Sequence, residues 1–185
     1  MIKRSGENPS AVRSKTALKE ALLELLKEKS FEEVAIWDIT KKAGLSRQTF
    51  YTNFSRKEDI LDYSLLQLFN KFAELSSKLD PVPYDIVSNY FIYWGRYKEF
   101  LQVLFEKNLG HLFLDRNREL FSKELAAISE NAANNPAQVE YIKAYLGALS
   151  YELLRVWISN GANISISELT TTMDDLMSGK LFATR

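Results

Sequence analysis

The stretch Lys41 to Leu61, KKAGLSRQTFYTNFSRKEDIL, constrains the fold more than any other part of the chain. Ile39 and Ala43 share one face of a short helix near residues 36–43, and Phe50 and Phe54 share one face of a second that runs through about residue 54. Ser46 is a good cap for that second helix. Between the two, Gly44 offers the left-handed backbone of a sharp turn, and small Ala43 lets the helices approach closely. Burying these faces leaves Arg47, Gln48, Thr49, Tyr51, Thr52 and Asn53 pointing outward. A short helix that hides two aromatics and presents donors, acceptors and a phenol suits the major groove of DNA. Lys57 and the amides that open the next helix, from about Ser55, read as phosphate holders.

The rest of the chain also reads as helix, because strict apolar–polar alternation and hairpin turn pairs are missing. Residues 1–9 form a loose basic arm. Ser10 is expected to cap a first helix running to about Lys29, with Leu18, Ala21, Leu22, Leu25 and Leu26 on one face. A fourth helix runs from Ser55 to about Leu79. Asp80-Pro-Val-Pro83 then interrupts the pattern, since prolines do not sit inside a continuing helix. Further helices are expected over about 84–95, 98–108, 111–130, 137–159 and 165–178, with a break at Asn134-Asn135-Pro136.

Composition excludes several functions. The chain has no cysteine and His111 is its only histidine, so a thiolate or multi-histidine metal site and a Ser-His-Asp triad are not expected. Glu32-Glu33 and Asp174-Asp175 are sequence neighbours that diverge on a helix, which makes them poor acid–base pairs. No enzyme activity, metal or cofactor is expected. With no run of about 18 uncharged apolar residues and no apolar leader, the chain reads as a cytoplasmic protein without a membrane span. Net charge is zero, yet residues 1–60 carry 12 Lys/Arg against 9 Asp/Glu, whereas residues 61–185 carry 12 against 15. That is the sign expected if only the head meets phosphate.

The segment Leu18 to Leu61 resembles the DNA-binding head of the TetR/AcrR family of bacterial regulators. The likeness rests on Leu18 to Leu26, Phe31, Ile39, Ala43-Gly44, Ser46, Tyr51, Phe54 and Lys57-Glu58. It implies an all-α chain of about nine helices. A three-helix helix-turn-helix head would occupy residues 1–54, and a helical bundle for effector binding and dimerisation residues 55–185. By the same resemblance Thr49 and Tyr51 contact backbone and bases, Arg47, Gln48 and Asn53 tune sequence preference, and Lys57 clamps phosphate. Ser46 and Thr52 lie on the same surface. Trp37 sits where the family often places a polar phosphate contact: its indole N–H donating to phosphate is one reading, partial burial against the body the other. Two positions depart from the pattern. Ala35 stands where Ser or Thr usually caps the second helix, and Ser30 where Gly often closes the first.

The resemblance also places an effector pocket among the middle helices. Tyr90, Tyr93, Trp94, Tyr97 and Phe105 are candidate walls for an apolar or aromatic small molecule; plain core packing is the other reading of these aromatics. Leu146, Leu149, Leu153 and Trp157 lie on a helix that is apolar on more than one face, as a homodimer contact requires. The expected partners are therefore double-stranded operator DNA in the bacterial nucleoid, a second copy of the chain, and a small effector. The expected function is a repressor released from a palindromic operator. The alternative is an activator, coactivator or DNA-bound interaction factor with no effector.

Overall fold

The computed structural model describes residues 8–78, 83–124 and 136–182. These residues form α1 (Pro9–Leu26), α2 (Ile36–Ala43), α3 (Arg47–Asn53), α4 (Glu58–Ser76), α5 (Pro83–Gly95), α6 (Lys98–Glu106), α7 (Gly110–Glu124), α8 (Pro136–Ser159) and α9 (Ile166–Met177), then a 3₁₀ turn at Lys180–Phe182. The fold is helical throughout the described residues, as the sequence implies. The expected basic arm up to residue 7, the break after Asp80 and the one at Asn134-Asn135 lie outside the described residues. No described helix is long and apolar enough to cross a membrane.

Two compact units are present, residues 1–65 and 66–185, with the boundary inside α4. In the first, α1 packs on both α2 and α3. Its core is Leu18, Leu22, Leu26, Phe31, Ile39 and Phe50, joined by Ile60, Leu61 and Leu65 from the opening turns of α4. The start of α1 differs from expectation. Asn8, not Ser10, is the cap, its side chain accepting from the Ser10 amide at 2.9 Å, and Pro9 fills the first helical position, where its missing N–H costs nothing. The end differs too: α1 stops at Leu26, and Ser30 opens a separate turn in which its amide donates to Glu33 Oε2 at 2.9 Å. A serine therefore serves where a left-handed glycine was the familiar solution.

The second unit is organised around Trp94 on α5, which is fully buried. Its ring lies 4.5 Å from that of Phe69 and 4.7 Å from that of Phe113, in the tilted and edge-on arrangements that aromatic rings favour. Buried polar groups tie the helices around it. The Tyr90 hydroxyl donates to Asn117 Oδ1 at 2.8 Å, and Asn117 Nδ2 donates to the Gly147 carbonyl at 2.8 Å and to Ser150 Oγ at 3.2 Å, joining α5, α7 and α8. Burial pushes the Tyr90 phenol well above its ordinary range, so it remains a donor at any working pH. Gly95 admits the indole of Trp157, because a Cβ at that position would lie 3.3 Å from the ring.

Asn117 is fully buried and joins three helices. Asn117→Ala should therefore lose about 1–3 kcal/mol of unfolding free energy, the usual penalty for stranding buried polar partners. Ser150→Ala should lose less, since the Gly147 carbonyl keeps its bond from Asn117. Urea denaturation followed by circular dichroism would order the two; equal losses would contradict this network.

Candidate nucleic-acid interface

The turn between α2 and α3 is built as its residues dictate. Gly44 has φ +65° and its amide donates to the Lys41 carbonyl, while Leu45 N reaches the Thr40 carbonyl at 2.9 Å. A Cβ on Gly44 would meet nothing within 4 Å, so the glycine is needed for its backbone angle and not for space. Ser46 caps α3, its hydroxyl oxygen accepting from the Thr49 amide at 3.0 Å. Ala35 opens α2 with no side-chain acceptor. Only the return half of the cap is made, from the Ala35 amide to Asp38 Oδ2 at 3.1 Å.

Phe50 is completely buried and Phe54 nearly so, their rings 6.2 Å apart. Tyr51, next in sequence to Phe50, is 54% exposed. The opposite side of α3 therefore faces solvent with Arg47, Gln48, Tyr51 and Thr52 exposed and Thr49 and Asn53 partly so. Some of this polarity is already committed. Thr52 Oγ1 donates to the Gln48 carbonyl at 2.9 Å, Asn53 Nδ2 donates to the Thr49 carbonyl at 2.7 Å, and Ser46 Oγ lies 2.9 Å from Thr49 Oγ1. Thr52 thus keeps acceptor capacity rather than a free proton, whereas between Ser46 and Thr49 either hydroxyl can be the donor. Arg47, Gln48 and Tyr51 make no side-chain hydrogen bond to another described residue and retain all of theirs.

Trp37 is 54% exposed on α2, with the Lys41 ammonium 4.6 Å from its ring centroid, a cation–π contact. Lys42 is also exposed in the last turn of α2. Two lysines ending a helix also complement its dipole, so the sequence alone does not mark Lys42 as a DNA contact.

The start of α4 is more fully bonded than the sequence implies. The helix begins at Glu58, and two amides just before it already have an acceptor: Ser55 N and Arg56 N both donate to Asp59 Oδ2 at 2.9 Å. Lys57 is partly exposed, and its side chain is engaged with the protein's own backbone. Its ammonium donates to the carbonyls of Phe31, Val34 and Glu32 at 2.5, 2.9 and 3.2 Å.

Residues 18–63 match the family model of the tetR family of bacterial regulatory proteins, and residues 82–179 match that of a transcriptional regulator C-terminal region. The chain belongs to the TetR family. Members of this family are DNA-binding transcription factors and not enzymes. Its curated relatives include the Bacillus subtilis HTH-type transcriptional regulator YxbF, 21% identical over 89% of this chain and 45% of YxbF. They also include DhaS, the HTH-type dhaKLM operon transcriptional activator of Lactococcus lactis, 28% identical over 56% of each protein. The chain spans about half the length of these relatives. Among solved structures it resembles Lin0861 from Listeria innocua, with a TM-score of 0.79 at 14% identity, covering 98% of this chain and 97% of that one. At that identity the likeness is one of fold.

The other predicted residues fall as follows. Tyr90, Tyr93 and Trp94 are buried; Tyr97 is half-buried against Tyr93 and Trp94, while Phe105, also half-buried, packs instead on Phe113 and Tyr151. Tyr93 donates its hydroxyl to the Leu68 carbonyl at 2.7 Å. Leu146, Leu149 and Leu153 are half-buried on α8. Trp157 is turned inward, with its indole N–H donating to the Ile164 carbonyl at 2.8 Å, and offers little to a partner. The exposed apolar side chains of α8 are instead Tyr141, Ile142, Tyr145 and Val156.

Gly44→Ala should cost about 1–2 kcal/mol, the penalty for a side chain in left-handed backbone, with no added steric term. Gly44→Asn should cost less, because asparagine tolerates that region. Thermal unfolding of the two variants would show the order; a larger loss for Asn would mean that space, not φ, sets the requirement.

Proposed function

We propose that this chain is a sequence-specific DNA-binding transcriptional regulator that docks α3 into the major groove of a palindromic operator as a homodimer. The observation that carries the reading is the opposition of Phe50 and Tyr51: one ring is sealed in the core, its neighbour stands in solvent beside Arg47 and Gln48. Arg47 and Gln48 supply the fork and amide geometries that read guanine and adenine edges. Trp37, Thr49, Thr52, Asn53, Lys41 and Lys42 border them and supply backbone contacts. Dimerisation falls to α8, where Tyr141, Tyr145 and Val156 leave an apolar side uncovered beside Leu146, Leu149 and Leu153; a palindrome requires such two-fold pairing.

The regulatory reading is a repressor released by an apolar or aromatic small molecule held among Tyr90, Tyr93, Trp94, Tyr97 and Phe105. Supporting it, the buried indole N–H of Trp94 has no hydrogen-bond partner, an unmet donor in an otherwise apolar setting. The effector would act by favouring a spacing of the two heads that no longer fits successive grooves. A second reading, an activator with no effector, is favoured by the similarity to DhaS, which is named as an activator.

The test is binding to palindromes in the DNA flanking the protein's own coding region. Arg47→Ala and Tyr51→Ala should each weaken operator binding by about 1–3 kcal/mol while helicity and dimer mass stay unchanged. Affinity of the wild type should fall steeply with salt. Variants that bind as tightly as wild type would remove α3 from the interface.

A further inference from the structure

The Lys57 ammonium sits in a cage of backbone oxygens. Its three N–H donors are matched by three carbonyls, those of Phe31, Glu32 and Val34, all within 3.2 Å. The ammonium also lies 4.5 Å from the centroid of the Phe31 ring. Phe31 and Val34 are themselves buried, so the turn that carries these carbonyls is anchored from both sides. That turn runs directly into Ala35, the residue that opens α2 without a side-chain cap. The amides on the other side, at Ser55 and Arg56, are closed by Asp59. A phosphate drawn to Lys57 would have to pull the ammonium off all three oxygens and leave them without its charge.

Resting on the reading that this head binds duplex DNA, we propose that Lys57 is a positioning residue for DNA binding and not a phosphate contact. It fastens the 31–34 turn to the start of α4, and so sets the entry angle of α2, on which α3 packs. A capping hydroxyl at position 35 would accept from an α2 amide; Lys57 acts differently, holding the carbonyls of the turn that leads into α2.

The two roles differ in a measurable way. Loss of a phosphate contact lowers the slope of log affinity against log salt by about 0.9 for each contact removed. Loss of a positioning residue lowers affinity and stability with the slope kept. The probe is an arbitrary-sequence duplex of about 30 base pairs, because its salt slope counts phosphate contacts without base readout. The full chain is titrated by fluorescence anisotropy between low and moderate salt, and melting is followed by circular dichroism. Lys57→Met should bind several-fold more weakly with the wild-type slope, and should melt about 3 °C or more below wild type. Lys57→Arg should not restore the melting temperature, since a planar guanidinium cannot converge three donors on one small cage.

A Lys57→Met chain with unchanged melting and a slope reduced by about 0.9 per contact would overturn the proposal. So would a Lys57→Arg chain with wild-type melting and affinity, which decides the matter alone if Lys57→Met is too unstable to titrate. Failure of the wild type to bind duplex at low salt would sink the DNA-binding reading instead, and the melting comparison would still test the cage.

Discussion

The burial of Phe50 determines what this protein can present to its surroundings. Full burial of such a ring is worth about 2–3 kcal/mol by area, and removing it would open a cavity that costs about 3–5 kcal/mol. That is large beside the marginal stability of a small unit. Because α3 is a single short helix of 7 residues, fixing one ring fixes its rotation, and rotation decides which side chains reach solvent. Arg47, Gln48 and Tyr51 are outward because Phe50 is inward. Gly44, Ser46 and Phe54 serve the same end, as they set where the helix begins, how it is capped and how it stops.

The second unit is governed by a different balance. Its aromatic rings pack edge-on around Trp94, and the polar atoms they bring inside are matched with few exceptions: Tyr90 to Asn117, Asn117 to Gly147 and Ser150, Tyr93 to Leu68, Trp157 to Ile164. Matched partners fix one arrangement of α5, α7 and α8 against its neighbours. Trp94 stands apart, with its indole N–H unpaired in the middle of the cluster. A buried donor left unmet costs about 1–3 kcal/mol, so any conformation or ligand that supplies an acceptor has a free-energy advantage there.

Much of this was legible in the sequence because it is local. The left-handed Gly44, the Ser46 cap and the spacing of Ile39, Phe50 and Phe54 are decided within a few residues, and each appears in the structure as the pattern implies. What the sequence concealed depends on distant partners. Lys57 looks like a surface cation until the turn at Phe31 is folded against it, a pairing across 26 positions. Asp59 looks like a first-turn acid until the Ser55 and Arg56 amides close on it. Trp157 looks like an interface anchor until the carbonyl of Ile164 turns it inward. The aromatics of α5 have the spacing of a core and the chemistry of a pocket, and periodicity does not separate the two.

The central claim is that the outward side of α3, held by Phe50, is the surface that enters the groove. Hydrogen exchange of the full chain, read by mass spectrometry with and without a palindromic duplex at low salt, tests it most directly. The account predicts slowed exchange concentrated in residues 36–54, with the start of α4 changing little. Slowing confined to residues 66–182, or none in α2 and α3 while DNA is bound, would contradict it.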